Sequence, residues 1–151
     1  MHESIARTRF ECVYSPAQLT LPDVVTPADL VAYEHVGLSW RGEQRSEIDL
    51  YLEAMNLKRH IAVSAVSQLA IMRILQQFPM VTMQTCMMTS IYQDVPGIAL
   101  RRIEAEGLEL DIRLIWHRRN DRDPAQSFVR RQIMALLAKA ASRAQRGRAG
   151  C

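Results

Sequence analysis

The pattern of hydrophobic and polar positions changes period several times along the chain, and each period predicts a different element. Residues 9 to 14 alternate and place Phe10, Cys12 and Tyr14 on one face, which predicts a half-buried strand. Residues 61 to 66 form a continuous run of small and β-branched side chains, which predicts a buried strand of a parallel sheet. The runs 35–40, 81–86, 98–103 and 110–116 predict four further strands.

Helices are predicted where a capping residue stands directly before a run with helical spacing. Thr26 and Asp123 each precede a proline, which suits the first position of a helix, and Ser46 and Ser67 start two more. The apolar stripes expected to face the core are Ile48, Tyr51, Leu52 and Met55; Ile71, Met72, Ile74, Leu75 and Phe78; and Val129, Ile133, Leu136, Leu137 and Ala140. The order β-α-β-α-β-α-β, followed by β-β-α, predicts an α/β sheet with helices on its faces.

Composition narrows the class of protein. The chain has 151 residues, 48% of them hydrophobic and 23% charged, which fits one domain, at most one and a half, and excludes a disordered chain. No apolar run is long enough to span a membrane, and the first ten residues do not resemble a secretory signal. We therefore expect a cytoplasmic protein without a membrane partner.

The positive charge is concentrated in the last part of the chain. Residues 117 to 151 carry nine Lys or Arg against two acids, whereas residues 1 to 116 have a net charge of −4. A basic tail can contact nucleic acid, but no aromatic residues are interleaved with these charges. This pattern favours a solvated helix face.

The sequence contains no motif for catalysis, for a cofactor or for a metal. Gly-x-Gly-x-x-Gly, Gly-Lys-Ser/Thr, Gly-x-Ser-x-Gly, His-Glu-x-x-His and Cys-x-x-Cys are all absent. Glu109 and Asp111 lie on one predicted strand face, where a solvated edge is a simpler interpretation than a catalytic pair. We expect no catalytic residue, no cofactor and no bound metal.

One local pattern does suggest a binding site. Ser64 to Gln68 connects a predicted strand to a helix N-terminus, where free backbone N–H groups attract anions. Ser39, Trp40 and Arg41 end another predicted strand in the same way, and ligands of open α/β sheets bind outside the carboxyl ends of the strands. The alternative is that Ser67 only caps its helix. The expected ligand-binding residues are Ser39, Arg41, Ser64, Val66, Ser67, Gln68 and Thr85.

Several stretches resemble one known family. Residues 27 to 41 (PADLVAYEHVGLSWR), 65 to 70 (AVSQLA) and 114 to 131 (LIWHRRNDRDPAQSFVRR) are similar to the C-terminal part of LysR-type transcriptional regulators, and the similarity extends from about Arg9 to Ser142. The resemblance implies a type 2 periplasmic-binding-protein-like α/β fold. In that family two subdomains flank a cleft where a small effector, often an organic acid, biases DNA binding.

The resemblance also implies a domain organisation. It predicts an N-terminal segment (1–8), effector-binding subdomain II (9–97), an incomplete subdomain I with the C-terminal helix (98–145) and a basic tail (146–151). The helix-turn-helix of the family is missing, so we expect a truncated regulator that makes no direct DNA contact by itself. Because half a subdomain would be uncovered, we also expect a homo-oligomer. The alternative functions are a small α/β enzyme and a solute-binding protein with a similar layout.

Overall fold

The computed structural model describes residues 1–39, 46–89, 92 and 94–146, with side chains up to residue 139. The chain divides into two compact units. Phe10–Leu108 forms one, here called the sheet unit, and Met1–Arg9 with the chain from Glu109 onwards forms the other, here called the terminal unit.

The described residues contain seven strands, five α-helices and one short 3-10 helix. The strands are β1 (His2–Tyr14), β2 (Val24–Val25), β3 (Glu34–Leu38), β4 (His60–Ala65), β5 (Met80–Thr85), β6 (Ala99–Ile103) and β7 (Glu109–Ile115). The helices are α1 (Pro27–Val31), α2 (Glu47–Ala54), α3 (Gln68–Gln77), α4 (Cys86–Thr89) and α5 (Pro124–Arg146), with the 3-10 turn at Arg118–Asn120.

The sheet unit is a mixed sheet with the strand order β2-β6-β1-β5-β3-β4. Strand β3 is parallel to both β4 and β5, whereas β1 is antiparallel to β5 and to β6. The predicted β-α-β units are therefore present, and the carboxyl ends of β3, β4 and β5 meet at one edge of the sheet.

Helices cover the sheet on both faces. Leu30 of α1 and Leu52 of α2 pack with Cys12 of β1 on one face, whereas Ile71 and Leu75 of α3 pack with other strand residues on the opposite face. All of these side chains are almost fully buried. Burying each of these leucine and isoleucine side chains stabilises the folded chain by about 1.5–3 kcal/mol relative to leaving it exposed.

The predicted starts of α1 and α2 are confirmed. Thr26 accepts a hydrogen bond from the Asp29 N–H, and the Asp29 carboxylate accepts one from the Thr26 N–H in return. Ser46 and Asp49 form the same capping box at α2. Arg59 reinforces it, because its Nε donates to Asp49 Oδ1 over 2.7 Å.

Two strand predictions need correction. Strand β4 was expected to be fully buried, but it lies at the edge of the sheet and its residues alternate between exposed and partly buried. Strand β1 begins at His2 instead of near residue 9 and extends through both units.

The terminal unit consists of the first half of β1, strand β7 and helix α5. Residues His2 to Arg9 of β1 pair antiparallel with β7. Glu109 and Asp111 on β7, interpreted above as a solvated edge, form ion pairs with arginines: Glu109 with Arg9 at 3.3 Å, and Asp111 with Arg113 at 2.6 Å. Hydrogen bonds from Ser4 and Arg113 lower the pKa of Asp111.

The buried stripe predicted for α5 is only partly present. Ile133 and Leu137 are partly buried, but Val129 is 50% exposed and Leu136 is 65% exposed. The stripe residue Ala140 lies outside the residues whose side chains are described.

Strand pairing accounts for the extent of the two units. Strand β6 pairs with β1 and β2 and therefore belongs to the sheet unit, which ends at Leu108. The domain boundary expected at residue 97 stays a prediction. The N-terminal segment 1–8 is a strand of the terminal unit because it pairs with β7.

No helix within the described part of the chain is long and apolar enough to cross a membrane.

The buried His35 makes the stability of the fold depend on pH. Its side chain is fully buried, and Nε2 lies 2.8 Å from the Leu30 carbonyl oxygen, so the neutral ring donates there. Burial lowers the pKa of His35 to about 4. In the unfolded chain this histidine binds a proton below about pH 6.5, whereas in the folded chain it binds one only below about pH 4.

We therefore predict that the free energy of unfolding falls by about 3 kcal/mol between pH 6.5 and pH 4. Urea denaturation across this range measures the change. His35→Gln should flatten that part of the profile, whereas the exposed His2→Gln should leave it unchanged. An equal slope in His35→Gln would contradict the assignment.

Candidate ligand-binding site

The predicted site residues on β3 and β4 are neighbours in the structure. Leu38 of β3 pairs with Ala65 of β4, and the Ser39 N–H donates to the Ala65 carbonyl oxygen over 3.0 Å. Ser39 therefore lies beside the segment from Ser64 to Gln68, at the edge where the parallel strands end. Arg41 lies outside the described residues.

The side chains of this group do not all face the same way. Val63 and Ala65 of β4 pack against the α3 side of the sheet, so alternation places the exposed Ser64 side chain on the opposite face. Val66 is 62% exposed. On β5, Gln84 faces α3, so alternation places the side chain of Thr85 on the opposite face of the sheet.

The N-terminus of α3 carries no side-chain cap. Ser67 occupies the N-cap position with an extended backbone, but its hydroxyl accepts no hydrogen bond from the helix. The first turn contains no acidic residue. In α1 and α2, by contrast, an aspartate occupies the corresponding turn. The N–H groups of the first turn of α3 have no acceptor within the helix, so this end keeps its partial positive charge.

A layer of buried polar side chains lies behind this helix end. Gln68 Nε2 donates to Gln84 Oε1 over 3.3 Å, and Gln84 is the register partner of Glu11 on β1. The Thr89 hydroxyl donates to the Glu11 carboxylate. Glu11, Gln84 and Thr89 are each more than nine-tenths buried. We call Gln68, Gln84, Glu11 and Thr89 the buried polar layer.

The buried polar layer has one unsatisfied group. Gln68 Oε1 is buried and has no hydrogen-bond partner within the described residues. A buried acceptor without a donor costs about 1–3 kcal/mol. The layer is therefore a place where a donor from a ligand or from water would be favourable.

Sequence reasoning missed three members of this layer, although alternation contained a signal. With Phe10, Cys12 and Tyr14 assigned to one face of β1, Glu11 falls on the other face beside Val13. The same parity on β5 puts Gln84 opposite to Met83. What the pattern could not show is that these two residues pair across strands.

No group of three or more His, Cys, Asp or Glu side chains within the described part of the chain could hold a metal ion. Burial raises the pKa of the Cys12 thiol to about 12, which keeps it protonated and unreactive. The described residues of the sheet edge place the uncapped first turn of α3 beside hydrogen-bonded amide groups, and they include no hydrogen bond between a nucleophile and a base.

The uncapped helix gives a direct prediction for stability. Ser67→Ala should change the free energy of unfolding by less than about 0.5 kcal/mol, because the hydroxyl caps nothing. Thr26→Ala, at the capped start of α1, should cost about 1 kcal/mol. Thermal or urea denaturation of the two variants measures both values. A Ser67→Ala cost equal to that of Thr26→Ala would show that Ser67 caps α3 in solution.

No family model matches the chain, and no curated protein matches its sequence.

Solved structures, in contrast, share its fold. The regulatory domain of MexT, a transcriptional activator in Pseudomonas aeruginosa, superposes with a TM-score of 0.76 at 18% identity, over 89% of this chain and 64% of that one. The regulatory domain of MetR, a LysR family regulator from N. meningitidis, gives 0.74 at 14% identity, over 93% and 65%. The LysR family transcriptional regulator CbnR gives 0.68 at 17% identity, over 95% and 47%.

The chain therefore spans less than two thirds of each of these structures. The expected type 2 periplasmic-binding-protein-like α/β fold is confirmed. The protein has the fold of the regulatory domains of LysR family transcriptional regulators such as MetR.

Proposed function

We propose that this chain is an effector-sensing domain of a LysR-type transcriptional regulator, and that it binds a small organic carboxylate at the N-terminus of α3. The observation that carries the proposal is the bare first turn of that helix, at the edge where β3, β4 and β5 end. Ligands of open α/β sheets bind at such edges.

Electrostatics favour an anion at this position. The free N–H groups of the first turn donate to an oxyanion, and the helix dipole contributes roughly 0.3–1 kcal/mol. Neither Ser67 nor any acid of the first turn competes for these groups. A carboxylate can therefore occupy the place that Asp29 and Asp49 occupy at α1 and α2.

The remaining contacts come from neighbouring segments. Ser39 is held beside Ala65, and Arg41, two residues further on, would add a charge-assisted hydrogen bond of about 1.5–3 kcal/mol if shielded from water. The amide groups of Gln68 and Gln84 would contact the rest of the ligand. Ser64 and Thr85 lie on the sheet face opposite to α3, and Val66 is exposed, so these residues would contribute through their backbone or at the rim.

A binding role is favoured over the two alternatives. An enzyme needs a nucleophile, a base or a metal at its site, and the described edge carries none of these in a catalytic arrangement. The structures with the same fold cited above are those of transcriptional regulators. A solute-binding protein would share the fold, and the same comparisons favour a regulator over it.

A chemical-shift titration with acetate, benzoate and succinate tests the proposal. The amide signals of Gln68, Leu69 and Ala70 should move in a saturable manner, with a dissociation constant of about 1 mM, which corresponds to −4.1 kcal/mol. Arg41→Ala should weaken binding, whereas Arg73→Ala, an exposed charge further along α3, should not.

Two substitutions at Ser67 test whether the N-terminus of α3 is the part that binds the anion. Ser67→Asp would place a carboxylate on the first-turn amides, so it should stabilise α3 and abolish anion binding. Ser67→Asn would cap the helix without the charge and serves as the control, with an intermediate effect. Amides of α3 that do not move with any carboxylate, or Ser67→Asp binding as well as the parent, would refute the proposal.

We also propose that the chain self-associates. In the terminal unit Ile115 is 75% exposed and Phe128 is 55% exposed, and exposed apolar surface of this kind recruits partners. Sedimentation velocity should detect a dimer or a larger species, and Phe128→Ser with Leu136→Gln should shift it toward monomer. A parent protein that sediments as a monomer at ~100 μM would contradict this prediction, because weak interfaces are populated at such concentrations.

A further inference from the structure

The terminal unit contains a concave site that the proposed function does not use. It has a volume of about 360 Å³ and is open to solvent on one side. Its lining residues are Glu3, Trp116, Ser127, Arg130, Arg131 and Met134. This volume lies within the range of pockets that hold small molecules, roughly 300–1,000 Å³.

The fold brings these residues together in a simple way. Ser127, Arg130, Arg131 and Met134 recur at i, i+3, i+4 and i+7, so they share one face of α5. Glu3 of β1 pairs with Leu114 of β7, and residues directly opposite each other share a face of the sheet. Trp116 follows the last residue of β7, its backbone N–H donates to the Met1 carbonyl oxygen over 3.1 Å, and it lines the pocket together with Glu3 and α5.

Part of the wall is held in place by hydrogen bonds. The Arg130 guanidinium lies over the Trp116 ring, 4.8 Å from its centroid. It donates to the carbonyl oxygens of Asn120 at 3.0 Å and Asp121 at 2.8 Å, and to Ser127 Oγ at 2.8 Å. The Trp116 indole N–H donates to Asp121 Oδ1 over 2.9 Å. The aromatic floor of the pocket is therefore preorganised.

The two remaining charges at the rim are unpaired. Glu3 and Arg131 form no ion pair or hydrogen bond within the described residues, and both are exposed. Other charges of the terminal unit do form ion pairs: Arg9 pairs with Glu109, and Arg113 pairs with Asp111. One free carboxylate and one free guanidinium thus flank a pocket that has an indole and a thioether in its wall.

We propose that this pocket binds a free α-amino acid with an aromatic or thioether side chain. The ligand carboxylate pairs with Arg131, its ammonium pairs with Glu3, and its side chain packs against Trp116 and Met134. An α-amino acid carries both charges next to each other, so it satisfies the two rim groups at once. A thioether or aromatic side chain gains sulfur–aromatic or aromatic contacts with the same wall.

The test uses three probes of nearly equal size on the full chain. L-phenylalanine has both charges, 3-phenylpropionate lacks the ammonium, and phenethylamine lacks the carboxylate. The indole N–H signal of Trp116, made unambiguous by Trp40→Phe, reports binding because its hydrogen bond to Asp121 forms the pocket wall. L-phenylalanine should bind about two- to fivefold more tightly than either analogue, as expected for partly exposed ion pairs.

Single substitutions test the role of each of the two rim charges. Glu3→Gln should remove the advantage of L-phenylalanine over 3-phenylpropionate, and Arg131→Gln should remove its advantage over phenethylamine. Glu106→Gln and Arg122→Gln, which change exposed charges outside the pocket, should leave all three affinities unchanged. The four replaced side chains are exposed, so the variants should keep the parent's circular dichroism.

Three outcomes would overturn the inference. They are equal affinity for the three probes, unchanged selectivity in Glu3→Gln and Arg131→Gln, and shifts confined to the α3 amides with none at Trp116. A Trp116 indole signal that no probe moves would overturn it as well.

Discussion

The pairing of β1 on both of its edges is the constraint on which the sheet unit depends. From Glu11 to Tyr14 the strand is hydrogen-bonded to β5 on one side and to β6 on the other, and Cys12 and Val13 have no solvent access. This pairing joins the parallel strands to β6 and β2. It also carries the Glu11 side chain into the interior, where a carboxylate is tolerated only with hydrogen-bond donors. Thr89 supplies one of them.

The same constraint shapes the sheet edge at which we propose a binding site. Helix α3 is anchored by the buried Ile71 and Leu75 in its middle, so its first turn does not need a cap to stay in place. The buried polar layer then fills the space between that turn and β1 with amide and carboxylate groups instead of apolar ones. An apolar filling would have been less costly for stability, which is why we connect the layer with ligand binding.

Local signals in the sequence predicted local structure well. The capping residues at α1 and α2 and the proline after Asp123 marked helix starts, because a cap involves only residues within one turn. The LysR-type resemblance predicted the fold that the comparisons confirm. Burial was harder to predict. The run 61–66 is apolar enough for a central strand. Its pattern cannot show whether other strands pair with both of its edges, and β4 lies at the edge of the sheet. The burial predicted for Val129 and Leu136 on α5 was wrong for the same reason, because an apolar stripe does not show which residues pack against it. In the candidate site, Gln68 was predicted from the strand–helix junction, whereas Glu11 and Gln84 were missed because their contact depends on strand register.

Hydrogen exchange at the first-turn amides of α3 tests the central claim most directly. Gln68, Leu69 and Ala70 have no acceptor within the helix, so their amides should exchange rapidly in the free protein. A saturating small carboxylate should slow exchange at these three amides, and those of the capped α2 should not respond. Exchange at α3 that is already slow without ligand, or that stays fast at every carboxylate concentration, would contradict the account.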